Sequence, residues 1–261
     1  MELKIIGCTG SFAGPESPAS CYLLSSEDEH GRTWRVLLDM GSGSLGEIQK
    51  HVNLSEIDAV LISHLHPDHC VDLAGFYIAA RWDPRGWQGG RISVWAPSGM
   101  STYLAQTHSM ASAEILKDQM DFHDWSPEVP VTIGPLTIEP YLVLHPIDEP
   151  YALRVTERGA SGEKVLVYSG DSDACEGLTR AAWHADLFLC EAAYMEGRDD
   201  SIRGIHLTGA RAGETARDAQ VRRLLLTHLP IWNEPDVALA EAREHFDGPV
   251  DVVTPLATYT V

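Results

Sequence analysis

Ser63-His64-Leu65-His66-Pro67-Asp68-His69 places three imidazoles and a carboxylate within six residues. These are the ordinary ligands of zinc-like metals. His64 and His66 are two apart, so an extended chain turns both the same way. Pro67 then bends the chain, and Asp68 and His69 aim at a second point close by. Two ligand pairs in so short a stretch predict two adjacent metal ions. Further polar residues stand at the ends of apolar runs: Asp39, His145, Asp171, Glu191 and His228. In layered α/β folds, sites collect just beyond strand termini.

The elements that must carry these residues follow from periodicity. Ile57–Ile62 is an apolar run that reads as a buried strand, and a helix over about 72–82 follows the cluster. Further strands are expected at Leu3–Ile6, Cys21–Leu24, Arg35–Leu38, Ile92–Ala96, Val131–Ile133, Leu136–Leu144, Ala152–Thr156, Val165–Tyr168, Leu187–Cys190, Arg223–Leu226 and Val250–Val253. A short polar turn joins the two strands around residue 160. Helices are expected from Gly43 to about Val52, from Pro97, up to about His184, over about 210–220 and over Pro235–His245. Gly7–Pro15 reads as a glycine-rich loop that either walls a substrate site or serves only as a turn. Residues 106–128 mix helical pieces with His108, Met110, Met120, His123 and Trp125 and read as a lid or a dimer surface. The tail from Pro255 is mildly apolar and is expected to pack on a neighbour.

Arg35-Val-Leu-Leu-Asp39, a helix, then Ile57–His64 is echoed by Lys164-Val-Leu-Val-Tyr168-Ser-Gly-Asp171, a helix, then Ala185–Glu191. The ordered similarity predicts two αβ halves with packed sheets, helices outside and loops gathered on one edge. The expectation is one domain over 1–261.

The balance of 19 Lys+Arg against 38 Asp+Glu gives a net charge of −19, with no basic cluster. A protein gripping long nucleic acid needs a basic face, so that partner class is disfavoured. A small anion remains compatible, because bound metals reverse the local field. The five cysteines are scattered without CxxC spacing, against a disulfide framework or a thiolate metal site. No apolar run is long enough to span a membrane. The first residues are already strand-like rather than a signal peptide, which makes a cytoplasmic location the expectation.

The series His64-x-His66-x-Asp68-His69, His145, Ser169-Gly-Asp171 and Leu226-Thr-His228 resembles the full motif set of the metallo-β-lactamase fold, over nearly the whole chain. The resemblance implies a four-layer αββα sandwich. It implies His64, His66 and His145 on one metal, Asp68, His69 and His228 on a second, and Asp171 between them, with Asp39 supporting the ligands. His/Asp sets suit zinc first, with manganese, iron or nickel also compatible. Cys190-Glu191-Ala192-Ala193-Tyr194 and His206-Leu207-Thr208 resemble the phosphodiesterase branch that includes ribonuclease Z, where a glutamate supports a histidine at the scissile phosphate. Ribonuclease Z commonly inserts a tRNA-gripping arm before the bridging aspartate; here only Pro146–Gly170 intervenes. The N-terminal Gly7–Ser20 run is similar to that of the compact atypical class II cyclic-nucleotide phosphodiesterases.

These resemblances imply a homodimeric hydrolase of small 3′,5′-cyclic nucleotides. A hydroxide bridging two divalent metals would attack phosphorus. Asp68 would serve as ligand and proton acceptor. His206, oriented by Glu191, would stabilise the phosphoryl oxygens or protonate the leaving alkoxide. Alternatives are a ribonuclease Z-like RNA endonuclease and a metal-dependent ester, lactone or thioester hydrolase.

Overall fold

The computed structural model describes residues 1–159 and 162–261. Its strands are β1 (Glu2–Gly7), β2 (Cys21–Glu27), β3 (Thr33–Leu38), β4 (Ala59–Leu61), β5 (Ile92–Ala96), β6 (Met120–Asp124) and β7 (Val131–Ile133). They continue with β8 (Leu136–Leu142), β9 (Tyr151–Gly159), β10 (Gly162–Tyr168), β11 (Leu187–Glu191), β12 (Leu224–Thr227), β13 (Val250–Val252) and β14 (Thr258–Thr260). The helices are α1 (Ser44–Ile48), α2 (Pro67–Cys70), α3 (Leu73–Trp82), α4 (Met100–Thr107), α5 (Glu176–Ala182), α6 (Gly209–Asp218) and α7 (Pro235–His245).

Two seven-stranded sheets form, in the orders β14-β1-β2-β3-β4-β5-β6 and β13-β12-β11-β10-β9-β8-β7. In each, an antiparallel meander gives way to a parallel run: β3 through β6 in the first sheet and β10 through β13 in the second. One apolar layer lies between the sheets, with Tyr22, Leu38, Leu61, Leu153, Leu166 and Leu189 among its members. Two further layers hold the helices against the outer faces: α3 and α4 by Phe76 and Leu104, α5 and α6 by Leu178 and Ala212. This is the expected αββα sandwich. β4 and β11 are buried at every position because both sheet faces are covered.

Four expectations change. Residues 106–128 are not a lid: a 3-10 helix (Ala113–Asp118) leads into β6, which pairs with β5, and Leu116 and Met120 are buried in the core. The tail packs on its own chain rather than on a neighbour, because β14 pairs antiparallel with β1. The helix expected to run to Val52 stops at Ile48. β9 and β10 extend to Gly159 and from Gly162, and the expected polar turn falls on residues 160 and 161, outside the described residues.

Candidate metal centre and adjoining cavity

The parallel strands of both sheets deliver their C-terminal ends to one edge. Asp39 follows β3, Ser63 and His64 follow β4, Asp171 follows β10, Glu191 ends β11 and His228 follows β12. His145 follows β8. Asp39 and His228 have φ of 58°, a left-handed backbone that costs a non-glycine residue of order 1–3 kcal/mol and clusters at functional sites. Gly10 lets the N-terminal loop press on His228: a Cβ there would lie 2.3 Å from the His228 carbonyl oxygen.

Two cradles result. In the first, His64 Nε2 and His145 Nε2 lie 3.1 and 3.0 Å from His66 Nδ1. Outer partners fix the rings. Ser63 Oγ–H donates to Asp39 Oδ2, so Ser63 Oγ accepts from His64 Nδ1–H at 3.1 Å. His145 Nδ1–H donates to the Ile205 carbonyl at 2.8 Å. The inward nitrogens of His64 and His145 therefore carry lone pairs, an arrangement that favours a cation. Burial, with neighbouring imidazoles adding to it, pushes His64 well below its ordinary pKa and lowers His66 and His145, which keeps them neutral as ligands must be.

The second cradle is Asp68, His69, Asp171 and His228, whose ligand atoms lie within 4.8 Å of one another. Asp171 Oδ1 is 3.2 Å from His69 Nε2, and Asp171 Oδ2 is 3.3 Å from His228 Nε2 and 3.8 Å from His64 Nε2. It thus stands between the two sets. His69 Nδ1–H donates to Asp39 Oδ2 at 2.6 Å, and His228 Nδ1 meets Ser20 Oγ at 3.0 Å. His69 Nε2 and Asp171 Oδ1 are buried without a hydrogen-bond partner, a cost of about 1–3 kcal/mol per group that a cation removes. Burial alone would raise the Asp171 carboxyl, but the charges of His228 and His69 outweigh it and hold it well below the usual range. Asp68 is likewise held at about 2, with His69 and His228 overcoming burial. Both donor sets fit divalent metals.

Beside them, His206 Nδ1–H donates to Glu191 Oε1 at 2.8 Å. Fully buried Glu191 also accepts from the backbone N–H groups of Ser172 (3.0 Å), Ala193 (3.0 Å) and Leu207 (3.3 Å). Burial pushes the His206 imidazole down, but the Glu191 charge and hydrogen bond, with Asp171 behind, raise it to about 9. Its ring centroid lies 5.2 Å from that of His145 and 5.7 Å from that of His228. Every candidate ligand and the His206–Glu191 pair are thus brought to one edge.

A cavity of about 460 Å³ opens here, lined by Ser11, Tyr194, Arg198, Asp199, His206 and Trp232 among others. The Tyr194 ring meets His206 edge-on at 5.0 Å, and Phe12 stacks at a tilt on half-exposed Trp232 at 5.4 Å. Trp232 and Arg198 carry no recognisable motif, and Tyr194 and Ser20 stand in the Cys190–Tyr194 and Gly7–Ser20 runs without a role assigned to them. For Trp232 and Arg198 the only sequence signal is proximity to His228 and Glu191. Tyr168, at the echo position of Asp39, donates its hydroxyl to Asp39 Oδ2 at 2.7 Å across the two sheets.

With this fold and this edge, the chain belongs to the beta-lactamase superfamily: residues 34–229 match its domain. It has the metallo-β-lactamase fold, and its family supports a metal-dependent hydrolase. The Mycobacterium tuberculosis protein Rv1339 is 40% identical over 264 residues, covering 100% of this chain and 92% of its own length. The probable metallo-hydrolase YhfI of Bacillus subtilis is 29% identical over 256 residues, covering 97% and 96%. Its crystal structure superposes with a TM-score of 0.83 at 26% identity, covering 99% of each chain. A ribonuclease Z of Salinispora arenicola is 24% identical over 311 residues, covering 98% and 95%. Among the described residues, no helix is long and apolar enough to cross a membrane.

Proposed function

We propose that the protein is a phosphodiesterase using two divalent metal ions, zinc first among those its ligands suit, and that its substrate is a small 3′,5′-cyclic nucleotide. The observation that carries the phosphodiesterase reading is the His206–Glu191 pair, its ring set against both His145 and His228. A pair of divalent ions supplies a hydroxide at neutral pH and polarises phosphoryl oxygens. The chain's own residues do the rest. Asp68, mostly buried beside Asp171 and His69, is placed to take the proton released from the attacking water. His206, protonated near neutral pH and steered by Glu191, donates its Nε2 proton to the departing 3′ oxygen. Ser11 directs its backbone N–H toward His228 Nε2 at 3.4 Å, where it can meet a phosphoryl oxygen.

The cavity volume falls in the range of small-ligand sites, and with the acidic balance of the chain this favours a small substrate. The Phe12–Trp232 and Tyr194 rings supply faces on which a nucleobase stacks. The ribonuclease Z relative keeps an RNA endonuclease as the second reading; that reading needs a basic face, which the charge balance opposes. Metal-loaded protein should be assayed on bis-p-nitrophenyl phosphate, 3′,5′-cAMP, 2′,3′-cAMP, precursor tRNA and a lactone. Turnover of 3′,5′-cAMP is expected to lead. Turnover of the lactone alone would overturn the phosphodiesterase reading, and a preference for precursor tRNA would replace the substrate.

A further inference from the structure

Arg211 lies in the first turn of α6 and is only 7% exposed. A cation there opposes the helix dipole, and burying it costs several kcal/mol unless it is well partnered. Its guanidinium reaches the carbonyls of Asp200 (3.3 Å), Ile202 (3.4 Å) and His206 (3.4 Å), and Asp173 Oδ1 at 3.4 Å. Asp173, 1% exposed, also accepts from Arg203 Nε at 2.7 Å and from the Gly204 backbone N–H at 2.7 Å. With its own backbone it grips a different segment: Asp173 N–H donates to the Leu144 carbonyl at 2.8 Å, while Leu144 N–H donates to Ser172 Oγ at 3.2 Å.

The segment so held has no regular structure of its own, yet two consecutive residues of it enter the site. Ile205 fixes the His145 ring through its carbonyl, and His206 contacts Glu191. We propose that Asp173, Arg203 and Arg211 form a positioning clasp that sets residues 203–206, and thereby orients the His145 ligand and His206 together. The three residues neither line the cavity nor belong to a ligand group, so they act through the residues they hold. The half of the proposal concerning His206 rests on the phosphodiesterase reading; the half concerning His145 does not.

The test uses the metal-loaded full chain and Arg203→Met, whose side chain is 59% exposed and therefore removable without opening the core. Arg211→Met is the second variant. Metal retention is followed by the rate of loss to a chelator. Turnover is compared on two phosphodiesters, one with a p-nitrophenolate leaving group, which needs no protonation, and one with an alkoxide, which does. Arg203→Met is expected to lose metal about tenfold faster, because groups that orient a metal-bound histidine typically contribute 10–100-fold to affinity. It is also expected to fall about 10–100-fold on the alkoxide ester and under about threefold on the p-nitrophenyl ester, at little change in KM, as partial loss of a general acid requires. Equal loss on both esters, or unchanged metal retention in both variants, would overturn the clasp. A wild-type protein inactive on both esters would sink the phosphodiesterase reading instead, and chelator-driven metal loss would still decide the clasp.

Discussion

The two cradles are built on opposite electrostatic plans. The first is three imidazoles with no carboxylate, and His66 is only partly buried. The second combines two imidazoles with two carboxylates, and His69, Asp171 and His228 are at most 3% exposed. A divalent ion gains far more from the second, where its charge is opposed by carboxylates in a low-dielectric setting. The first presents a more weakly charged ligand set, with only His66 partly exposed, while His206 lies beside both cradles and the cavity wall at Ser11 adjoins His228 of the second. The contrast predicts unequal affinity, with the charged cradle holding its ion more tightly than the neutral one. Asp171 couples them, because its Oδ2 lies near both His228 and His64.

Asp171→Ala is expected to have the largest effect, because Asp171 stands between the two cradles. Metal per chain, read by elemental analysis, is expected to fall at both positions and activity to vanish. Retention of a full complement would separate the cradles. Next, His206→Ala is expected to keep its metal and lower turnover of alkoxide-leaving diesters by about 10²–10⁴-fold; full activity would remove it from the mechanism. Asp39→Asn comes third. Asp39 supports the charged cradle directly through His69 and the neutral one only through Ser63. Titration with metal should show about 10–100-fold weaker affinity, mainly at the tighter of two sites. An equal effect on both would contradict the asymmetry.

Trp232→Ala should touch neither cradle. Loss of one base-stacking face is worth about 1–3 kcal/mol, so KM for 3′,5′-cAMP is expected to rise about tenfold with kcat and metal content unchanged. A fall in kcat alone would refute a stacking role. The smallest effect is expected far from the metals, where Glu157 binds the Met1 amine at 2.6 Å and also Ser26. Burial works to raise the Glu157 carboxyl, but these contacts prevail and hold it below its ordinary value. A carboxylate depressed in the folded state stabilises above its unfolded pKa and loses that contribution as pH falls through the folded one. Glu157→Gln should therefore lower the urea midpoint at pH 7 and leave it little changed at pH 3. After solvent screening the difference is under about 1 kcal/mol.

The candidate ligands are legible in the sequence for a physical reason. His64, His66, Asp68 and His69 are adjacent in the chain, and strand ends at 145, 171 and 228 can be found from short apolar runs. The sandwich was readable from the same runs and their echo. β6 was harder, since Met120-Asp-Phe-His-Asp124 alternates for too few residues to be told from a helical piece. β14 has only three residues, and nothing local says that β1 is its partner. The cavity walls and the Asp173–Arg203–Arg211 clasp depend on contacts between distant segments, and no local pattern marks them. An Arg in a helix's first turn reads as a solvated residue until its burial is known.

The hydroxyl of Tyr168 on Asp39 spans the seam between the sheets, and the ligands themselves come from both sides of that seam. During synthesis, the first half therefore leaves the ribosome carrying four candidate ligands, with Asp39 to orient His69 but without Asp171 and His228 from the other sheet. The charged cradle is incomplete until His228 has been made, late in the chain. Metal capture is then expected to be a late event, after domain-scale folding has begun. A released fragment ending at Gln220, which lacks His228, should bind metal far more weakly than the full chain; equal affinity would show that loading does not wait for His228.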